Sequence, residues 1–399
     1  MSILKIFCYP SLLLIFMLMG CASDKSLTTE TINNVSATVE TQVQTAMISP
    51  SPMVSPSEQK KVDNLTPKAK TQGFLSVEAG NNSVYAITNT GDLWMWGTES
   101  KTTTLPHKWE DIQDVAQIVA GTGHTLALKT DGTVWSWGGN DRGQLGDGTK
   151  ISRWSPVQVS LGYATKVDAE SFHSMALLAD GTVWSWGDNL YGQLGSDREN
   201  NEIPERVPGL NNIIDISSGG TFSMALKNDG TVWVWGWGLE VSLGVDGYVD
   251  KPVMVPGINN IKAIVAAPAT LLALKEDGTV WQWGNVDKPE RVQGMEMIQL
   301  IAQGHSHSLA IDSAGTLWSW GNNRNGQLGN GSAANSNLEV PHKVVLPDAI
   351  IAVSGGDSHT LALDMNGQVW AWGSNEKGQL GSERKKQENL PIKIMITPK

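Results

Sequence analysis

The chain has 399 residues, a formal net charge of −11 at pH 7, a pI near 5.1 and two cysteines. Phosphate binding needs clustered Lys and Arg, which this acidic chain lacks, so nucleic acid is excluded as the expected partner. The length exceeds what one ordinary compact core organises, yet the composition changes class only at the N-terminus, which points to repeated units packed on their neighbours.

Residues 1–20 read as an export signal, with Lys5 as a weak positive start and an apolar stretch from Ser11 to Leu18 that is too short for a comfortable membrane-spanning helix. Leu18-Met19-Gly20-Cys21 resembles a bacterial lipobox, with Met19 a tolerated rather than ideal second position. That resemblance implies cleavage before Cys21, acylation of its sulfur and amine, and a lipid-anchored protein of the cell envelope, on the outer membrane or cell surface. Cys8 falls in the removed segment, so the mature chain has no free thiol and no disulfide. Residues 21–71 are rich in Ser, Thr, Asn, Gln and Pro, with Ser-Pro steps at Ser49, Ser51 and Ser55, and read as a disordered, flexible linker. As a coil it would reach about 40 Å.

From residue 72 to 399 one pattern recurs seven times: an apolar strand, a turn ending in glycine, then Trp-x-Trp-Gly. The turn glycines, Gly91, Gly132, Gly181, Gly230, Gly278, Gly315 and Gly367, lie 41, 49, 49, 48, 37 and 52 residues apart. A period near 46 made of short strands predicts one propeller blade per repeat. The second copy shows the unit: Ile118 to Gly121, His124 to Leu128, a turn at Asp131-Gly132, Val134 to Gly138, and Pro156 to Val159. These are four short strands of one antiparallel sheet, the first innermost because Ala and Gly let strands crowd at an axis. Thr90 and Ala314 stand before two of the turn glycines, so only the glycine is expected to be left-handed there. The Trp pairs hold 14 of the 17 tryptophans, and their i, i+2 spacing points both rings at the neighbouring blade as core.

Four copies continue after Trp-Gly with Asn140-Asp141-Arg142-Gly143-Gln144-Leu145-Gly146 and its counterparts from Asn189, Asn323 and Asn375. Joined to Gly121-x-x-His124-x-x-Ala127-Leu128, this resembles the repeat of the regulator of chromosome condensation family. The resemblance implies an all-β, seven-bladed propeller of four-stranded antiparallel blades, preceded by the signal peptide and stalk. The family's eukaryotic founder exchanges nucleotide on a small nuclear GTPase and binds chromatin, partners that an exported bacterial protein does not meet. A nearer analogy is the secreted bacterial propeller that inhibits β-lactamases with one face of its ring. Fold alone transfers neither activity. The fourth copy departs from the loop signature, and the first and fifth lack it, so an uneven rim is expected.

His124, His173, His307 and His359 share one repeat position, which Ser83, Phe222 and Thr270 fill in the other copies. Ligands one blade apart with Phe among them make no metal site, so these imidazoles are expected to hydrogen-bond within their own blades. His305, two residues from His307, could form a local pair with it. No catalytic, metal or cofactor motif was found. Arg142, Tyr191, Glu240, Asn325 and Lys377 occupy one variable loop slot, with Trp154, Trp237 and Tyr248 nearby, and these form the candidate binding surface. The bland alternative is that Trp154 and Trp237 plug gaps between loops. The sequence therefore suggests a scaffold binding a protein or envelope component, with an envelope polysaccharide-active enzyme or an inhibitor of a secreted enzyme as alternatives.

Overall fold

A computed structural model describes residues 73–97, 105–196, 200–238, 247–268, 270–284, 288–383 and 386–396. The expected signal, Cys21, the linker and Glu240 lie outside the described residues. Seven four-stranded antiparallel sheets, each made of four consecutive strands, span 74–109, 115–158, 164–206, 213–254, 261–291, 298–343 and 350–393. This is the seven-bladed propeller expected from the repeats.

The first strand of each blade lies innermost: β1 (Phe74–Ala79), β5 (Val115–Ala120), β9 (Ala164–Glu170), β13 (Ile213–Ser218), β17 (Ile261–Ala266), β21 (Ile298–Gln303) and β25 (Ile350–Gly355). Together they line a central channel of about 570 Å³. Antiparallel order puts the turn between first and second strands and the loop between third and fourth on the same side of the ring, here called the loop face. The Asp-Gly turns lie on the opposite, turn face. All seven turn glycines are left-handed, with φ between 77° and 81°, and the residues before them are not. The outer strands β4 (His107–Trp109) and β20 (Glu290–Arg291) are the shortest, in the two blades that lack the loop signature.

Within each Trp pair the two rings sit at different depths. The second, Trp96, Trp137, Trp186, Trp235, Trp283, Trp320 or Trp372, is buried at a seam between blades. The first is half-buried in every pair but Trp94, and Trp135, Trp184, Trp233 and Trp281 donate to the threonine two residues earlier. The deep rings explain the loop signature. Trp186, Trp235 and Trp372 donate through Nε1 to the carbonyls of Gln144, Gln193 and Gln327 at 2.8–2.9 Å, each the loop glutamine of the preceding blade. Where that loop is missing or departs from the pattern, Trp137 and Trp283 have no Nε1 partner among the described residues.

The shared histidine position also serves the seams. His124 Nε2 donates to Ser174 Oγ of the next blade at 2.8 Å, and that hydroxyl donates back to the Gln144 carbonyl at 2.8 Å. The same relay links His173, Ser223 and Gln193, and again His307, Thr360 and Gln327. The expected bond within each blade is thus corrected: the imidazole crosses to the neighbour, because second strands of adjacent blades face each other there. His305 does not pair with His307; its Nδ1 lies 3.6 Å from Asp357 Oδ1.

Complete blades close the ring by packing, with no strand exchanged between first and last among the described residues. Ala79 N donates to Ser354 Oγ at 3.0 Å, and Trp96 Nε1 donates to the Gln379 carbonyl at 3.0 Å. Val84 stands where the other relays have a hydroxyl, so among the described residues both ring nitrogens of the fully buried His359 are unpartnered at this seam.

Candidate functional site

The loop face is built on a repeated framework. Asn140 Oδ1 accepts from Leu145 N at 2.9 Å, and its amide donates to the Thr149 carbonyl at 2.9 Å. Gln144 Oε1 accepts from Arg142 N, and the same bond recurs from Tyr191 N to Gln193, Asn325 N to Gln327 and Lys377 N to Gln379, all at 2.8–2.9 Å. The framework therefore holds the backbone of the variable slot without using the slot's own side chain. The glycine after the slot lets the loop lie on the next blade. A Cβ at Gly143 would come 2.8 Å from Glu202 Cα, one at Gly192 3.0 Å from Asp250 Cα, and one at Gly326 2.9 Å from Asn389 Cα.

Three sequence-nominated residues come together over blades 3 and 4. The Tyr191 and Trp237 rings stack with centroids 5.3 Å apart and planes 24° from parallel. The Tyr248 ring lies against Gly192 on the same loop. Trp237 is 47% exposed and Tyr248 56%, and Phe172 (46%) and Leu190 (64%) extend the apolar surface. Backbone bonds fix the arrangement: Trp237 N donates to the Thr221 carbonyl and Asp188 N to the Phe172 carbonyl, both at 2.9 Å. Trp154, 67% exposed on β8 (Arg153–Gln158), stands apart on blade 2. Trp237 thus packs between two loops while keeping about half its surface in solvent, whereas Trp154 is largely exposed. Arg142 reaches toward Asp188 at 3.8 Å, whereas Asn325 and Lys377 sit on blades 6 and 7, away from the aromatic group.

The channel holds residues that the sequence reading missed. Glu78 enters from blade 1, Lys166, Asp168 and Glu170 from blade 3, and Asp215 from blade 4. Lys166 Nζ pairs with Asp215 Oδ1; burial opposes its charge, but Asp215 and Asp168 raise its pKa. Burial, with the Asp168 charge, pushes Glu78 up to about 8, and Ser354 Oγ donates to it at 3.2 Å. Burial, with the charges of Asp168 and Asp357, pushes Glu170 up to about 7. Asp168 is also raised, chiefly by burial, and Oδ2 accepts from Ser218 N at 2.5 Å. A signal for Glu170 was present: it occupies the position held by Gly80, Gly121, Gly219, Ala267, Gly304 and Gly356 in the other blades, each paired with the first residue of its second strand. Among the described residues no cluster of His, Cys, Asp and Glu is arranged to hold a metal ion.

Comparison with known proteins places the ring. The family model described as RCC1-like domain matches residues 16–290, and the regulator of chromosome condensation repeat matches 314–363 and 366–399. The mouse regulator of chromosome condensation is 36% identical over 77 residues, and the ultraviolet-B receptor UVR8 of Arabidopsis thaliana is 38% identical over 69. These stretches cover 18% and 17% of this chain and 18% and 16% of the relatives, so the chain spans under a fifth of the curated relatives it matches. In the structure of Kap60 bound to yeast RCC1 (Prp20), the similar chain superposes with a TM-score of 0.70 at 21% identity, covering 90% of this chain and 92% of that one. Prp20p of Saccharomyces cerevisiae, characterised for its binding to Gsp1p and histones, gives 0.70 at 22%, covering 86% and 91%. Human WBSCR16 gives 0.66 at 23%, covering 75% and 89%. Such identities carry the fold and no partner. With repeat, blade and loop framework in agreement, the chain belongs to the RCC1-like domain family.

Proposed function

We propose that this chain is an extracytoplasmic, lipid-anchored propeller that binds another protein or a cell-envelope component through its loop face. The observation that supports this reading is the cluster of half-buried Tyr191 with exposed Trp237 and Tyr248, on loops whose backbone is held by residues other than the slot itself. Aromatic side chains with little conformational freedom are the kind that carry interface energy. Proteins of this fold such as Prp20p bind protein partners, which is consistent with a binding role.

The test places a photo-crosslinking amino acid at Tyr191 in the full chain in cells, with Asp229 on the turn face as control. A defined adduct from Tyr191 that disappears with Trp237→Ala supports the reading; identical adducts from both positions refute it. Anchoring is tested separately, since Cys21→Ser should lose incorporated fatty acid and remain unprocessed. A second reading, an enzyme acting on envelope polysaccharide, draws on the channel carboxyls, where protonated Glu78 beside Asp168 has the form of a general acid and its partner. Turnover of a glycan panel, abolished by Glu78→Gln, would favour it. The third, inhibition of a secreted enzyme, would appear as tight one-to-one inhibition in a β-lactamase and protease panel.

A further inference from the structure

The repeat accounts for most of the channel wall but not for Glu170. At four of the six counterparts a ring from the second strand lies over the position: a Cβ on Gly121 would meet the His124 ring at 2.7 Å, on Gly219 the Phe222 ring at 2.3 Å, and on Gly304 or Gly356 its own histidine at 2.2 Å. Blade 3 keeps His173 and yet carries a long carboxylate, and the turn after it differs, with Ser171 left-handed at φ 49°. Packing symmetry alone would have put glycine there.

Carboxylates converge on that point. Glu78, Asp168 and Glu170 line the same channel, the charges of Asp168 and Asp357 bear on Glu170, and those of Asp168 and Glu170 bear on Glu78. Of the cations lining the channel, Lys166 is committed to Asp215 and Lys262 has a polar contact of its own. His305 stands beside Asp357. The turn Ser171-Phe172 then joins this acidic mouth to the aromatic cluster, since the Phe172 carbonyl accepts from Asp188 N in the loop bearing Tyr191. Asp250 lies against Gly192 beside the cluster, while Asp188 is buried beneath it, bonded to Gln193 and next to Arg142; Lys251 has a partner of its own.

Resting on the loop-face reading above, we propose that the partner is a protein presenting a basic segment, with an aromatic or aliphatic side chain laid on Tyr191, Trp237 and Tyr248 and a Lys or Arg side chain entering the channel mouth at Glu170. Charge complementarity selects this occupant. An anionic polymer is disfavoured by this acidic wall and a neutral sugar gives it no role, whereas a cation favours the ionised forms of Glu78 and Glu170 that burial and their acidic neighbours oppose. Arg is favoured twice, because its plane also stacks on the exposed rings. The channel, about 570 Å³, admits a side chain rather than a folded element.

Selection of a randomised 12-residue peptide display library on the full chain tests this. Enriched peptides should carry Lys or Arg within a few residues of an aromatic, and by fluorescence anisotropy their binding should weaken at least tenfold with Glu170→Gly and with Trp237→Ala. Glu170→Gly restores the residue that five other blades hold, so it should fold. Asp229→Asn on the turn face should change nothing. Peptides without basic excess, binding indifferent to Glu170→Gly, or stronger competition by cell-wall oligosaccharides than by the basic peptides would overturn the proposal. If the Tyr191 crosslink persists in Glu170→Gly, the binding face stands and only the basic-segment assignment falls. If no specific crosslink forms at all, the underlying reading falls with it.

Discussion

Replacing Val84 with threonine should strengthen the ring at its closing seam. At three other seams a hydroxyl sits between an imidazole and a glutamine carbonyl, and that carbonyl accepts two bonds, one from the hydroxyl and one from the deep indole. At the closing seam, among the described residues, the Gln379 carbonyl accepts from Trp96 with no hydroxyl beside it and His359 Nε2 has no partner. The side chains are nearly isosteric, so the new hydroxyl should reach both groups as Thr360 does at 2.8 Å. Two net hydrogen bonds contribute about 2 kcal/mol, and exchanging a buried methyl for the hydroxyl costs about 1, leaving a gain of roughly 1 kcal/mol. The mirror change, Ser174→Val, should strand His124 and cost about 2 kcal/mol. Urea unfolding midpoints of Val84→Thr, His359→Phe and the double variant, compared at constant slope, measure the coupling. Phe is chosen because Phe222 already fills that position in blade 4. If Val84→Thr destabilises by 1–2 kcal/mol, as a hydroxyl buried without partners would, or gains equally in the His359→Phe background, the relay argument is wrong.

Burial holds His124 and His307 to about 3 and His173 and His359 to about 4. The unfolded chain therefore binds more protons below pH 6.5, and stability should fall as pH drops from 6.5 toward 4, by about 1 kcal/mol per histidine at pH 5.5, read from denaturation at stepped pH. Glu78 acts in the opposite direction. With its folded pKa raised to about 8, its contribution is full below the unfolded value near 4.5 and lost as pH rises through 8, so Glu78→Gln should stabilise by roughly 4 kcal/mol at pH 8 and by about 1 at pH 5. Met297 is left-handed (φ 57°) where the equivalent positions hold Asp114, Asn212 and Asn260. Met297→Asn should gain about 0.5–1 kcal/mol in the same assay. Trp237→Ala should leave the urea midpoint within about 0.5 kcal/mol of the parent, as an exposed side chain should, while abolishing the Tyr191 crosslink.

The architecture was legible because its determinants are local and repeated: Trp-x-Trp-Gly, the left-handed turn glycine and the Gly-Gln-Leu-Gly loop each act within one blade. Relations between blades were harder to read. The acceptor for His124 lies 50 residues away in another repeat, and nothing in its own repeat distinguishes a bond inward from one across the seam. Tyr191, Trp237 and Tyr248 were recoverable because they break the pattern in adjacent loops. Trp154 breaks it too, but on an outer strand that the sequence could not distinguish from a loop. Glu78 and Asp168 were missed because the innermost strand alternates only weakly between channel and seam, so a carboxylate there reads as an ordinary polar strand residue.

Each sheet draws its four strands from one uninterrupted stretch, so the wheel has no privileged starting point in its topology. A circular permutant beginning at Val115, with residue 396 joined to residue 73 by a short spacer, should assemble the same ring with its covalent break at another joint. In the natural order the gap in the thread coincides with a joint that has a buried histidine but no hydroxyl to complete its relay, so neither chain connectivity nor a relay ties the first blade to the last, and that joint is where the ring is expected to open first.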